Sequence, residues 1–190
     1  MRALILKDEG TRGPALHGLG TLLEKTLSNE GWNSDAADVA ELRPAACTGC
    51  FTCWLRTPGI CAIPDSGREL TRRAVQADAL IYLSPLSFGG PSAALQRSVE
   101  RCVLPHISPL FQRHRGEMHH LLRYPKALGL AVLAWQENED PEAADVLIRL
   151  SERWSRNLHG KAATEVFHGN PDAAWPARVS GLVRALGAQL

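Results

Sequence analysis

The sequence predicts a doubly wound α/β fold, in which a five-stranded parallel sheet carries helices on both faces. Two observations point to it. Short β-like runs alternate with amphipathic helical runs along the chain. The run Ala79–Leu83 is apolar throughout, as a strand covered on both faces requires, and it stops at Ser84-Pro85-Leu86-Ser87-Phe88-Gly89-Gly90, where proline and glycine forbid simple continuation. A length of 190 residues, 45% hydrophobic and 22% charged, suits one such domain over residues 1–190.

Taken in order, Arg2–Lys7 reads as the first strand, followed by a loop through Gly13 and Pro14. The next helix keeps Leu16, Leu19, Leu23 and Leu27 at roughly helical spacing and ends at Gly31. A weak second strand is expected near Asp38–Leu42, then a cysteine loop over residues 44–65 and a helix around Ser66–Gln76. Ala79–Leu83 is the third strand. A helix beginning near Pro91 places Leu95, Val99, Cys102 and Val103 on one face, and residues 105–125 read as an irregular insertion rich in His and Arg. Ala127–Ala134 is the fourth strand. Asp140 and Pro141 supply an N-cap and a first helical residue for a helix striped with Leu147, Leu150 and Trp154. Ala162–Phe167 is the fifth strand, and the last helix buries Val179, Leu182, Val183 and Leu186. This succession fits the flavodoxin-like strand order 2-1-3-4-5, a three-layer sandwich, although a short Rossmann sheet shares the pattern.

A formal net charge of +1 provides no electrostatic footprint for nucleic acid or an anionic membrane. No apolar run approaches the roughly 20 residues that span a bilayer, and the first residues lack a signal-peptide pattern, so a cytoplasmic location is expected. Five cysteines in a cytosolic chain argue against a disulfide framework.

Ligands in an open α/β sheet bind outside the carboxyl ends of the strands, which here means the loops Lys7–Pro14, Ser84–Gly90 and Ala134–Asp140. The first leads into a helix N-terminus that favours a phosphate; Lys7, Thr11, Arg12 and Gly13 are the candidates, against the repulsion of Asp8 and Glu9. In the second, Gly89 and Gly90 allow close backbone approach to a flat ring and Phe88 offers an aromatic wall. Either loop also reads as an ordinary turn. Cys47-x2-Cys50-x2-Cys53-x7-Cys61 has the spacing to wrap an iron–sulfur cubane; zinc, thiol redox chemistry and plain small buried residues are the alternatives. Cys102 falls on the apolar face of its helix and reads as core. The adjacent His119 and His120 point opposite ways if extended and read as part of a polar loop. No nucleophile–base motif is present, so no catalytic side chain is expected.

Cys47-Thr48-Gly49-Cys50-Phe51-Thr52-Cys53, Pro58-Gly59-Ile60-Cys61 and Pro64-Asp65, with Ser84-Pro85-Leu86-Ser87-Phe88-Gly89-Gly90, resemble the cysteine loop and second flavin loop of NAD(P)H-dependent FMN reductases and iron–sulfur flavoproteins. Gly116–His120 with Arg123-Tyr124 is similar to an inserted segment of one subgroup. The resemblance implies FMN resting on Ser84, Pro85, Leu86, Ser87, Phe88 and Gly89, with NAD(P)H as donor. It further implies a [4Fe–4S] cluster on the four cysteines, a small-molecule or protein electron acceptor, and a homodimer or homotetramer. In the first loop, Asp8 and Glu9 stand where the family has a hydroxyl and a glycine. A degenerate scaffold serving as a binding or regulatory module, or a zinc-stabilised domain, is therefore the alternative.

Overall fold

A computed structural model describes residues 1–9 and 13–190. Five strands form one parallel sheet: β1 (Arg2–Lys7), β2 (Asn33–Asp38), β3 (Ala79–Pro85), β6 (Gly129–Gln136) and β7 (Ala162–His168). Their side chains alternate between two cores, as strand geometry dictates. Ala3, Ile5, Ala79, Ile81, Leu83, Ala131 and Leu133 face helices α1 (Pro14–Asn29) and α7 (Trp175–Gly187). Leu4, Leu6, Leu80, Tyr82, Leu130 and Val132 face α4 (Ser66–Gln76), α5 (Ala93–His106) and α6 (Pro141–Asn157). The Leu16, Leu19, Leu23 and Leu27 stripe of α1 is fully buried, as are Val179 and Leu186 of α7. Asp140 caps α6 by accepting from the amide of Ala143 at 3.0 Å.

Two expectations are corrected. The second strand lies earlier than Asp38–Leu42: Asn33–Asp38 pairs along the whole of β1, from Arg2↔Asn33 to Lys7↔Asp38. Its sequence, NSDAAD, is polar because β2 is an edge strand and only Ala37 turns into the core. Asp38 then ends it by accepting from the amides of Ala40 and Glu41, capping the short helix α2 (Val39–Leu42).

The region 105–125 is also regular. Helix α5 runs on to His106, and β4 (Ile107–His114) and β5 (Glu117–Leu122) make an antiparallel hairpin. Arg115 and Gly116 form its two-residue turn with φ of 49° and 83°, the positive pair that tight hairpins favour. The hairpin adds two strands between the expected third and fourth, so the sheet order is β2-β1-β3-β6-β7. The fold is flavodoxin-like, and its switch point lies between β1 and β3. No helix among the described residues is long and apolar enough to cross a membrane.

Candidate functional site

A cleft of about 740 Å³ opens at the carboxyl ends of β3, β6 and β7, beside the start of α1. That volume lies within the range of small-molecule sites. One wall is Gly13, Pro14 and Ala15; the others are Pro85 and Leu86, Trp135, Gln136 and Glu137, and Gly169 with Asn170. Backbone hydrogen bonds tie these segments together, from Leu86 N to Trp135 O at 2.7 Å and from Gly169 N to Gln136 O at 3.0 Å. The Trp135 indole donates to Gly169 O at 2.8 Å, which fixes the ring at the cleft wall.

Gly13 is the N-cap of α1, with φ of 98°, a backbone conformation that favours glycine. It carries no side chain to cap the helix, Pro14 has no N–H, and the first turn holds no acid. The first free amides and the positive end of the helix dipole therefore stand at the cleft for an anion to use. Of the two acids that oppose this reading, Glu9 is held by neighbouring side chains. Glu9 is 11% exposed, 3.3 Å from Lys7 Nζ and 2.8 Å from His17 Nδ1, with its carboxylate against Gly20 of α1.

Of the residues expected to hold a cofactor, Gly13, Pro85 and Leu86 line the cleft. Lys7 does not; its ammonium pairs with Glu9 and Glu24. Ser84 is buried, donating to Pro85 O and accepting from the amide of Ser92, so its hydroxyl is spent on the turn. Ser87 pairs with Gly90 in a tight bridge that leaves Phe88 fully exposed at the tip. Gly89 packs against Val146 of α6. Thr11 and Arg12 lie outside the described residues. The sequence marks the loop Ala134–Asp140 but does not single out Trp135, Gln136, Glu137, Gly169 or Asn170; the Gly169-Asn170-Pro171 run after the fifth strand is the turn signal that could have pointed to the last two.

A second constellation lies in the cysteine segment. Cys47, Cys50, Cys53 and Cys61 line one small cavity with Phe51, Ile63 and Leu104, and α3 (Thr52–Leu55) carries Cys53 into it. Burial, then the neighbouring Cys61 and Cys47, push the Cys53 thiol up. Hydrogen bonds to Thr52 and Thr48 hold the exposed Cys50 down. Among the described residues no three His, Cys, Asp or Glu side chains converge closely enough to hold a single metal ion. Four thiolates suit either a tetrahedral zinc, with Zn–S near 2.3 Å, or a cubane, which spreads them over four irons.

The loop is anchored by groups the sequence hid. Arg101, 1% exposed on α5, donates to Ala45 O at 2.8 Å and to both oxygens of Asp65, so one guanidinium holds both flanks of the loop. Desolvation opposes the Asp65 charge, but Arg101 and the amides of Ala45 and Gly67 outweigh it and hold the carboxyl below its ordinary range. Trp54 donates to Leu104 O at 2.7 Å, and Arg123 donates to the carbonyl of Cys53. Cys102 is core, its thiol pushed up to about 12 by burial. His119 contacts Asn157 and Glu117, whereas His120 contacts Ser108 O and lies against Phe111 and Trp54, so the pair does diverge.

The profile of a family described as NADPH-dependent FMN reductase matches residues 17–124. An iron–sulfur flavoprotein of Methanocaldococcus jannaschii is 32% identical over 92 residues, 46% of this chain and 47% of the relative. Another, from Archaeoglobus fulgidus, is 30% identical over 82 residues, 43% of this chain and 36% of the relative. The chain thus covers about half or less of these curated relatives. Among solved structures, an NAD(P)H:quinone oxidoreductase from Methanothermobacter marburgensis superposes with a TM-score of 0.70 at 16% identity, covering 98% of this chain and 94% of that one, a likeness of fold.

Proposed function

From its membership of the NADPH-dependent FMN reductase family, to which this chain belongs, we propose that it is an FMN-dependent oxidoreductase using NAD(P)H as donor. The single observation that carries the reading is the uncapped start of α1 opening onto the 740 Å³ cleft. The amides that follow Pro14 would hold the FMN phosphate, and Gly13 lets the chain approach it without a side chain in the way. Pro85, Leu86 and Trp135 would bound the ring, a flat apolar surface against flat apolar walls. FMN supplies hydride and single-electron transfer when bound, so the protein's part is binding, orientation and exclusion of water.

The cysteine set fits a cluster by its chemistry: four thiols around one cavity, with the buried Arg101 cation close to Cys47 and Cys61. Cys47, Cys50, Cys53 and Cys61 would hold a [4Fe–4S] cluster, which relays electrons one at a time to a small-molecule or protein acceptor. A homodimer or homotetramer and a cytoplasmic location complete the proposal. Exposed Leu110, Phe111 and Met118 on the hairpin favour self-association.

The test is an FMN titration of the full chain, followed by quenching of flavin fluorescence, with an absorption spectrum of protein purified without oxygen. Saturable quenching and flavin bands support the oxidoreductase. A folded protein that leaves FMN fluorescence untouched would leave only a flavodoxin-like scaffold. Broad absorption with iron, and no zinc, would select the cluster.

A further inference from the structure

A third constellation lies away from both sites. Arg115 at the hairpin tip, Arg156 in the last turn of α6 and Lys161 just before β7 line one cavity of about 330 Å³, with Glu152, Ser155 and Ala162. The cavity adjoins the amino end of β7, whereas the flavin cleft adjoins its carboxyl end; the six residue steps between put them about 20 Å apart. Neither the cysteines nor the cleft residues contribute to it.

The charge here is poorly balanced. Glu117 accepts from Arg153 through both oxygens, at 3.0 and 2.8 Å, and from Arg156 at 2.6 Å, so one carboxylate serves two guanidiniums. Arg115 and Lys161 make no ion pair among the described residues, and Glu152 is the one carboxylate lining the cavity. The end of α6 does not compete for the cations. Its carbonyls at Trp154, Ser155 and Arg156 already accept from the amides of Leu158, Gly160 and His159. Next door, His114 stacks on His159 at 4.4 Å with an interplanar angle of 9°. Burial first, and then His159, Arg115, His119 and Arg156, push the His114 imidazole below its ordinary range.

Like charges gathered around a cavity repel one another, and a multiply charged anion removes that cost while accepting hydrogen bonds from each guanidinium. We propose that the cavity between Arg115, Arg156 and Lys161 binds a phosphate-bearing small molecule at a site separate from the flavin cleft. Its size admits a diphosphate. The site stands independently of the flavin reading.

Calorimetric titration of the full chain with inorganic pyrophosphate tests this, beside NADPH and NADH as a second source of the same chemistry. Saturable binding is expected for pyrophosphate, or for NADPH over NADH if a nucleotide phosphate is the occupant. In the double variant Arg115→Gln with Lys161→Gln, affinity should fall about tenfold or more and the salt dependence should flatten. Both side chains are exposed, so folding should be unaffected, and FMN quenching in the same variant should be unchanged. Absence of pyrophosphate binding, or pyrophosphate binding that survives the double substitution, overturns the site.

Discussion

Arg101 grips Asp65 with two hydrogen bonds, 3.0 Å from Nη1 to Oδ2 and 2.6 Å from Nη2 to Oδ1, from a position only 1% exposed. The pair joins three parts of the fold. Arg101 belongs to α5, Asp65 caps α4 by accepting from Gly67 N, and the same carboxylate accepts from Ala45 N at the start of the cysteine segment. Removing the cation strips the Asp65 carboxylate of its counter-charge, leaving it only two backbone amides, and strips the Ala45 and Ile63 carbonyls of a donor. Arg101→Met should cost about 3–5 kcal/mol, because an uncompensated charge is left behind. For a chain of this size that corresponds to roughly 10 °C in melting temperature, readable by calorimetry. A shift under 2 °C would mean that the pair contributes little.

Gly67 lies directly against that guanidinium. A Cβ there would stand 2.7 Å from Nη2 and 2.8 Å from Cζ of Arg101, which Asp65 holds from the other side and keeps from yielding. Gly67→Ala should therefore destabilise the wild-type protein measurably, and much less in the Arg101→Met background. The coupling in a double-mutant cycle by urea denaturation is the check. Additive effects would place the strain elsewhere.

His106 sets a pH dependence. It is 2% exposed at the end of α5, edge-on to Tyr124, and burial lowers its pKa to about 4 from an ordinary 6.5. Between those values the unfolded chain binds a proton that the folded one refuses, so stability falls as pH drops through 6.5 toward 4. The loss between pH 7 and pH 5 should be about 2 kcal/mol. Urea midpoints across that range should slope accordingly in the wild type and flatten in His106→Phe. An unchanged slope in the variant would assign the acid sensitivity to other groups.

The proposed FMN site separates residues that line the cleft from residues that do not. Trp135→Ala removes a ring fixed at the cleft wall and should weaken FMN about tenfold, with Trp135→Phe recovering part of the loss. Lys7→Met and Phe88→Ala should change affinity by less than about threefold, since Lys7 is paired with Glu9 and Glu24 and Phe88 stands in solvent. Flavin fluorescence titration ranks all four. A large loss in Lys7→Met would return that lysine to the phosphate.

Iron content tests the cysteine set apart from the flavin. Cys53→Ser and Cys61→Ser should lose iron and its broad absorption, while FMN quenching stays within about twofold of wild type, because the two constellations share no lining residue. Equal iron in variant and wild type would argue against thiolate ligation.

The alternation of strands and helices, the buried leucines of α1, the caps at Asp140 and Pro141 and the crowding of four cysteines were all legible in order along the chain, because each depends on periodicity or spacing within a short segment. The pattern places the second strand too late, at Asp38–Leu42, because an edge strand needs backbone pairing but no apolar run, and it misses the hairpin because its strands are half exposed. The fate of charged groups was a matter for the folded chain alone. Glu9 and Lys7 look like a phosphate loop's obstacle and its remedy, yet they pair with each other and with α1. Arg101 and Asp65, 36 residues apart, met only when α5 packed against α4. Local pattern sets which segments form. Which side chains neutralise one another is decided by packing, since a charge acts on whatever the fold brings within a few ångströms of it.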